Sequence, residues 1–216
     1  MPDFTDILNA IVLLSNFVLI PALTYGSQLA LGALGITLIY SILRFSNFAH
    51  GDLMAFGTML VILITWWFQS MGISFGVLPT ALLALPLAIV GAIALSLMFD
   101  KTVYQFYRQK KSPAVIFVIV STGVMFIMNA IVRFIIGPDD QRFMDGAKFI
   151  FRPREFKAFT GLNEGLALKS TQVLTVAITL IAVAALFYFL QKTRTGKAMR
   201  AFSDNEDLAL LSGINP

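Results

Sequence analysis

The chain has 216 residues, 57% of them hydrophobic and 13% charged, with a mean hydropathy of +0.81. Soluble domains carry about 25% charged residues, so this composition excludes a water-soluble globular fold and indicates an integral membrane protein. The absence of cysteine removes disulfides and thiol chemistry, the single histidine, His50, removes multi-histidine metal sites, and a net charge of +4 reads as basic cytoplasmic loops rather than a nucleic-acid surface.

The first charges are Asp3 and Asp6, and no basic residue precedes Arg44. A cleavable signal needs a positive n-region, so the first apolar run is expected to be a retained helix. A spanning helix needs roughly 20 largely apolar residues. Six runs qualify: Ile7–Leu23, Thr24–Leu43, Leu53–Phe68, Phe75–Phe99, Ala114–Ile136 and Thr171–Leu190. They lack the alternation of barrel strands, so an all-α, polytopic transmembrane bundle of about six segments is expected. Tyr25-Gly26-Ser27 reads as a tight turn or a mid-helix break, leaving the first helix peripheral or re-entrant. Pro79 and Pro86 are expected to kink the fourth run.

Loop charge sets orientation. The 100–112 connection holds Lys101, Arg108, Lys110 and Lys111 against Asp100 alone, and 191–200 holds Lys192, Arg194, Lys197 and Arg200 with no acid. Both read as cytoplasmic. The 137–170 connection, with six basic and five acidic residues, reads as external. Six spans then place the N-terminus in the cytoplasm. In the outer segment a short strand or hairpin is expected around Phe149. That segment is a solvated loop or a docking surface for a soluble partner outside.

Three constellations stand out. Asn47-Phe48-Ala49-His50-Gly51-Asp52 interrupts two apolar runs and holds the only carboxylate between Asp6 and Asp100. Ionisable groups near the bilayer face a cavity or partner, and Gly51 allows unusual backbone angles. The sextet is therefore either a polar turn, with Asn47 or Asp52 capping the next helix, or a pathway or hinge element. Gly26, Ala30, Ala33 and Gly35, with Gly32 beside them, form a small-residue stripe suited to helix packing. Arg133 is placed to snorkel to the outer interface, and Asn129, one turn earlier, to face the bundle interior. The third constellation is the end of the chain. Asp207-Leu208-Ala209-Leu210-Leu211-Ser212-Gly213 fits acidic-x-Ala-x-x-x-Gly, with Leu208, Leu211 and Ile214 at helical spacing. It reads as an amphipathic helix on the membrane surface or as one that docks in a groove of a soluble subunit.

The blocks Leu29–Tyr40, Asn47–Asp52, Thr193-x-x-Gly-x-Ala-x-Arg-Ala201 and Asp207–Asn215 resemble the permease subunits of branched-chain amino acid ABC importers. The last resembles their coupling motif, usually Glu-Ala-Ala-x-x-x-Gly, with Asp207, Leu208 and Ala209 in the first three places. The resemblance implies a single permease domain over 1–216, a periplasmic loop at 137–170 and a cytoplasmic coupling segment at 191–216. Contact with the ATPase would fall to Arg200, Ala201, Asp204, Asp207, Ala209 and Gly213. It implies two cytoplasmic ATPase subunits, a second permease subunit, a periplasmic binding protein and a bacterial inner membrane, with ATP and Mg²⁺ held by the partners and no cofactor, catalytic residue or metal in this chain. It also implies further helices beyond Pro216, so the sequence reads as truncated. Urea, short amides or other amino acids remain alternative substrates. An ion-coupled carrier with His50 and Asp52 as a proton relay is the alternative mechanism, and a membrane scaffold without transport a third class.

Overall fold

Inside a bilayer no water replaces a missing hydrogen bond, so an apolar chain satisfies its backbone within helices. The computed structural model describes residues 3–74, 78–139, 141 and 149–213. Its helices are α1 (Phe4–Leu14), α2 (Ile20–Leu43), α3 (Ala49–Ser70), α4 (Ala81–Phe99), α5 (Gln105–Gln109), α6 (Ala114–Ile136), α7 (Pro153–Thr160), α8 (Ser170–Lys192), α9 (Arg194–Asp204) and α10 (Glu206–Leu211). Two strands, β1 (Phe149–Phe151) and β2 (Leu168–Lys169), pair antiparallel, as the sequence around Phe149 suggested.

Among the described residues five helices, not six, are long and apolar enough to cross a membrane: Phe4–Leu43, Ala49–Ser70, Ala81–Gln109, Ala114–Ile136 and Ser170–Lys192. The expected first two runs are one helix, and Tyr25-Gly26-Ser27 is helical throughout. The irregularity lies earlier, in a π turn at Ser15–Leu19. That wider turn precedes Pro21, whose ring and missing N–H disturb the turn before it. Thr24 Oγ1 donates to the Ile20 carbonyl at 2.8 Å. At 1.5 Å per residue the 40-residue helix is about 60 Å long, twice one crossing.

A second π turn, Asp100–Tyr104, carries α4 into α5, so most of the basic connection expected as loop is helical. Arg108 closes that turn with a bidentate pair to Asp100 at 2.7 and 2.8 Å. Pro79 lies before α4, and Pro86 lies inside it, where it removes the hydrogen bond to the Leu82 carbonyl.

The chain forms two compact units, and α2 and α8 each run from one into the other. The first holds α1, α2 to Leu31, the hairpin, α7 and α8 to Ala185. Two asparagines of the apolar N-terminal helix organise it. Asn16 Nδ2 donates to the Gly165 carbonyl at 2.7 Å while its Oδ1 accepts the Ala167 N–H at 2.9 Å. Asn9 Oδ1 accepts the Glu164 N–H at 3.1 Å. Gly165 is fixed by proximity, since any side chain there would strike the Pro153 backbone.

The second unit packs α3 between α4 and α6. Its buried cluster is Phe45, Ala49, Phe99, Tyr104, Phe117, Val124 and Met128. Small residues bring α3 and α4 together: a Cβ on Gly57 would sit 3.8 Å from Ala92, and one on Gly91 would press to 2.7 Å on Leu60. All five spans have fewer buried than unburied residues, with Phe4–Leu43 and Ser170–Lys192 the least buried, which leaves surface for lipid or other protein.

Asn16→Leu removes both partners of the 165–167 segment. The expected cost is about 1–3 kcal/mol, read as a lower thermal midpoint in detergent with new proteolysis near Glu164. An unchanged midpoint and cleavage pattern would show that the asparagine does not hold that segment.

Candidate functional site

The Asn47–Asp52 sextet sits within the second unit, not at its edge. Leu43 ends α2, and Arg44 takes a left-handed backbone (φ 55°) that turns the chain. For a residue with a Cβ that conformation costs roughly 1–2 kcal/mol. Phe45 then plugs into the core, 6% exposed and stacked on Phe117 with centroids 5.1 Å apart. The Phe48 N–H donates to Ser121 Oγ at 3.2 Å. Ser121 is the eighth residue of α6, so α3 begins about 10 Å along that helix.

Asn47 is the hub. Its Oδ1 accepts the Ala49 N–H at 3.0 Å and the Tyr104 hydroxyl at 3.3 Å, and its carbonyl accepts the His50 N–H at 3.3 Å. One side chain thus satisfies an orphan donor at the start of α3 and fastens it to the π turn below α4. Asp52 lies in the first turn of α3, where the helix dipole favours a carboxylate. It caps nothing; its Oδ1 accepts from Asn129 Nδ2 at 2.9 Å and ties α3 to α6. Asn129 faces inward, as the sequence indicated. Gly51 is helical and nothing approaches its Cβ position.

His50 packs against α2. A Cβ on Gly35 would lie 2.5 Å from its Nε2, and Gly32 presents its backbone to the ring. His50 Nδ1 is buried without a hydrogen-bond partner among the described residues. It borders a cavity of about 60 Å³ lined by Asn47, Ser96, Tyr104, Phe99 and Met128. Binding pockets for small molecules are typically about 300–1,000 Å³, so the helices are closed around this polar node.

The small-residue stripe divides. Gly32 and Gly35 face α3, where Met54 comes within 3.5 Å of a Cβ on Gly32. Gly26, Ala30 and Ala33 are exposed, and no atom of the described chain approaches Gly26. Arg133, in the last turn of α6, is also exposed.

The C-terminal segment is built on caps. Thr193 Oγ1 accepts the Gly196 N–H at 3.0 Å, and Asn205 Oδ1 accepts the Leu208 N–H at 3.1 Å, so each is an N-cap. Gly196 is pressed on the Phe189 carbonyl, which explains the Gly in that motif. Gly213 closes α10 with φ 80°, and its N–H donates to the Leu210 carbonyl at 3.0 Å. The acidic-to-Gly spacing is therefore a short helix and its left-handed cap. Ala209 is buried, whereas Leu208 and Leu211 are 61% and 84% exposed. Arg200, Ala201 and Asp204 share an open hollow of about 490 Å³ with Lys197 and Ser203. The Asp207 side chain and Ile214 lie outside the described residues. One residue that sequence reasoning passed over joins the two regions: the Arg44 guanidinium donates to the Ser203 carbonyl, at the negative end of α9. The only hint was that Arg44 is the sole cation in the first hundred residues.

A many-helix membrane protein with a half-buried polar node and a capped, exposed C-terminal helix pair is the class defined so far. The chain belongs to the branched-chain amino acid transport system permease component family, whose model matches residues 18–216. It is 29% identical over 199 residues to the high-affinity branched-chain amino acid transport system permease protein LivH of Escherichia coli (strain K12), covering 89% of this chain and 60% of that protein. It is 28% identical to LivH of Salmonella typhimurium, with the same coverage. The similarity to BraD of Pseudomonas aeruginosa is 26% over 204 residues, or 91% and 62% of the two chains. The chain thus spans about three fifths of the length of these relatives. No solved structure matches it significantly.

Two substitutions test the node. Asp52→Asn keeps an oxygen for Asn129 and should cost under about 1 kcal/mol, whereas Asp52→Leu strands the amide and should cost about 1–3 kcal/mol; equal thermal midpoints would remove the bond from the account. Gly35→Ala should destabilise by about 1–3 kcal/mol by overpacking on His50. In a double-mutant cycle His50→Ala should relieve most of that loss, and strict additivity would mean that the two residues do not press on each other.

Proposed function

We propose that this chain acts as a permease subunit in an ATP-driven importer of branched-chain amino acids. The family supports the transport role. The observation that carries the coupling is the capped helix pair α9–α10, which presents Arg200, Ala201 and Asp204 in a hollow and Leu208 and Leu211 to the outside. Two cytoplasmic ATPase subunits, holding ATP and Mg²⁺, would engage this segment, with a second permease subunit alongside in a bacterial inner membrane. A binding protein would deliver leucine, isoleucine or valine on the opposite side. Arg44 would pass a push on α9 to the α2–α3 connection, and the Asn47–Asp52 node, closed here, would open as the helices rock.

The basic α5–α6 connection and α9 mark the cytoplasmic side. With five spans the N-terminus then counts to the outside. The bonds from Asn9 and Asn16 to residues 164–167, in the segment that precedes α8, support the same assignment.

The test is uptake of labelled leucine by the full-length protein and its partner subunits in proteoliposomes. ATP should drive uptake and unlabelled isoleucine or valine should compete; competition by urea or short amides alone would change the substrate class. Uptake driven by a proton gradient without ATP would favour a carrier that uses His50 and Asp52. Gly213→Arg should abolish uptake without loss of membrane insertion. Gly213→Asn, which tolerates the left-handed cap, should retain most of it. Normal uptake by the arginine variant would sink the coupling role.

A further inference from the structure

The first unit carries an apolar surface that the transport reading does not use. In α7, Pro153, Phe156 and Phe159 recur at helical spacing, and Phe159 is 92% exposed. The hairpin adds Phe149, Ile150 and Phe151, each nearly half exposed, and Phe151 meets Phe156 edge to face at 6.5 Å. At about 100° per residue, Arg154 and Ala158 fall on the face of α7 turned away from Phe156, and Lys157 lies at its flank. The described part of this segment holds Arg152, Arg154, Lys157 and Lys169 against Glu155 and Glu164. Lys169 Nζ lies 5.8 Å over the Phe149 ring. Position is what selects the occupant. β2 ends at Lys169 and α8, long and apolar enough to cross a membrane, begins at Ser170, so the hairpin abuts the end of that helix. β1 pairs with β2 and α7 follows β1 after one residue. The aromatic surface is therefore held beside the end of an apolar helix with cations around it, the residue types of an interfacial helix.

We infer that α7 and the hairpin lie on the bilayer, with Phe149, Phe156 and Phe159 among the acyl chains and the cations at anionic headgroups. The surface is thus a lipid contact and not the seat of a soluble partner. This stands whether or not the importer reading holds. The chain has no cysteine, so a nitroxide can be placed at one site within it after reconstitution in vesicles of phosphatidylcholine and phosphatidylglycerol. Labels on Phe159→Cys and Phe149→Cys should collide with oxygen in preference to a water-soluble nickel chelate. Their oxygen-to-nickel ratio should be several-fold that of Ala158→Cys. A ratio at 159 and 149 equal to that at 158 means a solvated loop and overturns the inference. Exclusion of both reagents means that protein covers the surface, and overturns it as well.

Discussion

The polar node depends on a single constraint: a helix that starts inside a bundle must find partners for its first N–H groups without water. The start of α3, alongside Ser121 rather than at the end of α6, meets it with side chains. Asn47 takes the Ala49 N–H and Ser121 takes that of Phe48. Each of these bonds also joins α3 to another stretch of chain or fixes its entry. The polar groups that satisfy the backbone are thus the same groups that position α3 against α6 and the turn below α4.

Around that node the energetics divide by element. The α3–α4–α6 core is held by apolar packing with small residues at the α3–α4 contact, and in lipid such packing replaces the hydrophobic effect that drives soluble cores. The N-terminal helix and α8 bury far less of their apolar surface. In the first unit, fixed geometry comes instead from Asn9 and Asn16, whose bonds reach the segment 164–167 from inside an otherwise apolar helix.

Two spans were legible in the sequence, because length and hydropathy set them directly: Ala114–Ile136 was placed to the residue, and α8 to within two; the fourth run, expected over 75–99, lies at Ala81–Gln109, since the basic connection after it is helical. The first span was misjudged. Pro21 and Gly26 both looked like breaks, but a π turn upstream absorbed the proline and a helix in lipid tolerates the glycine. The polar sextet was found because charge and amide groups are conspicuous in an apolar chain, and the inward turn of Asn129 was read correctly. The hub role of Asn47 could not be read, since its partner Tyr104 lies 57 residues away. In the small-residue stripe spacing shows which residues share a face, not which neighbour lies opposite: Gly32 lies against Met54 and Gly35 against His50 of α3, while Gly26, Ala30 and Ala33 are exposed.

The Arg44 contact with the Ser203 carbonyl has a consequence for how such chains exchange parts. The guanidinium reads the end of α9 through a backbone atom, so the identity of residue 203 matters little while the position of the helix end matters a great deal. A hybrid that takes α9 and α10 from a relative would keep this clasp only if α9 ends in register with Arg44. The connection at 44–48 and the segment at 193–204 are in that sense one inheritable module, although nearly 150 residues separate them in the sequence.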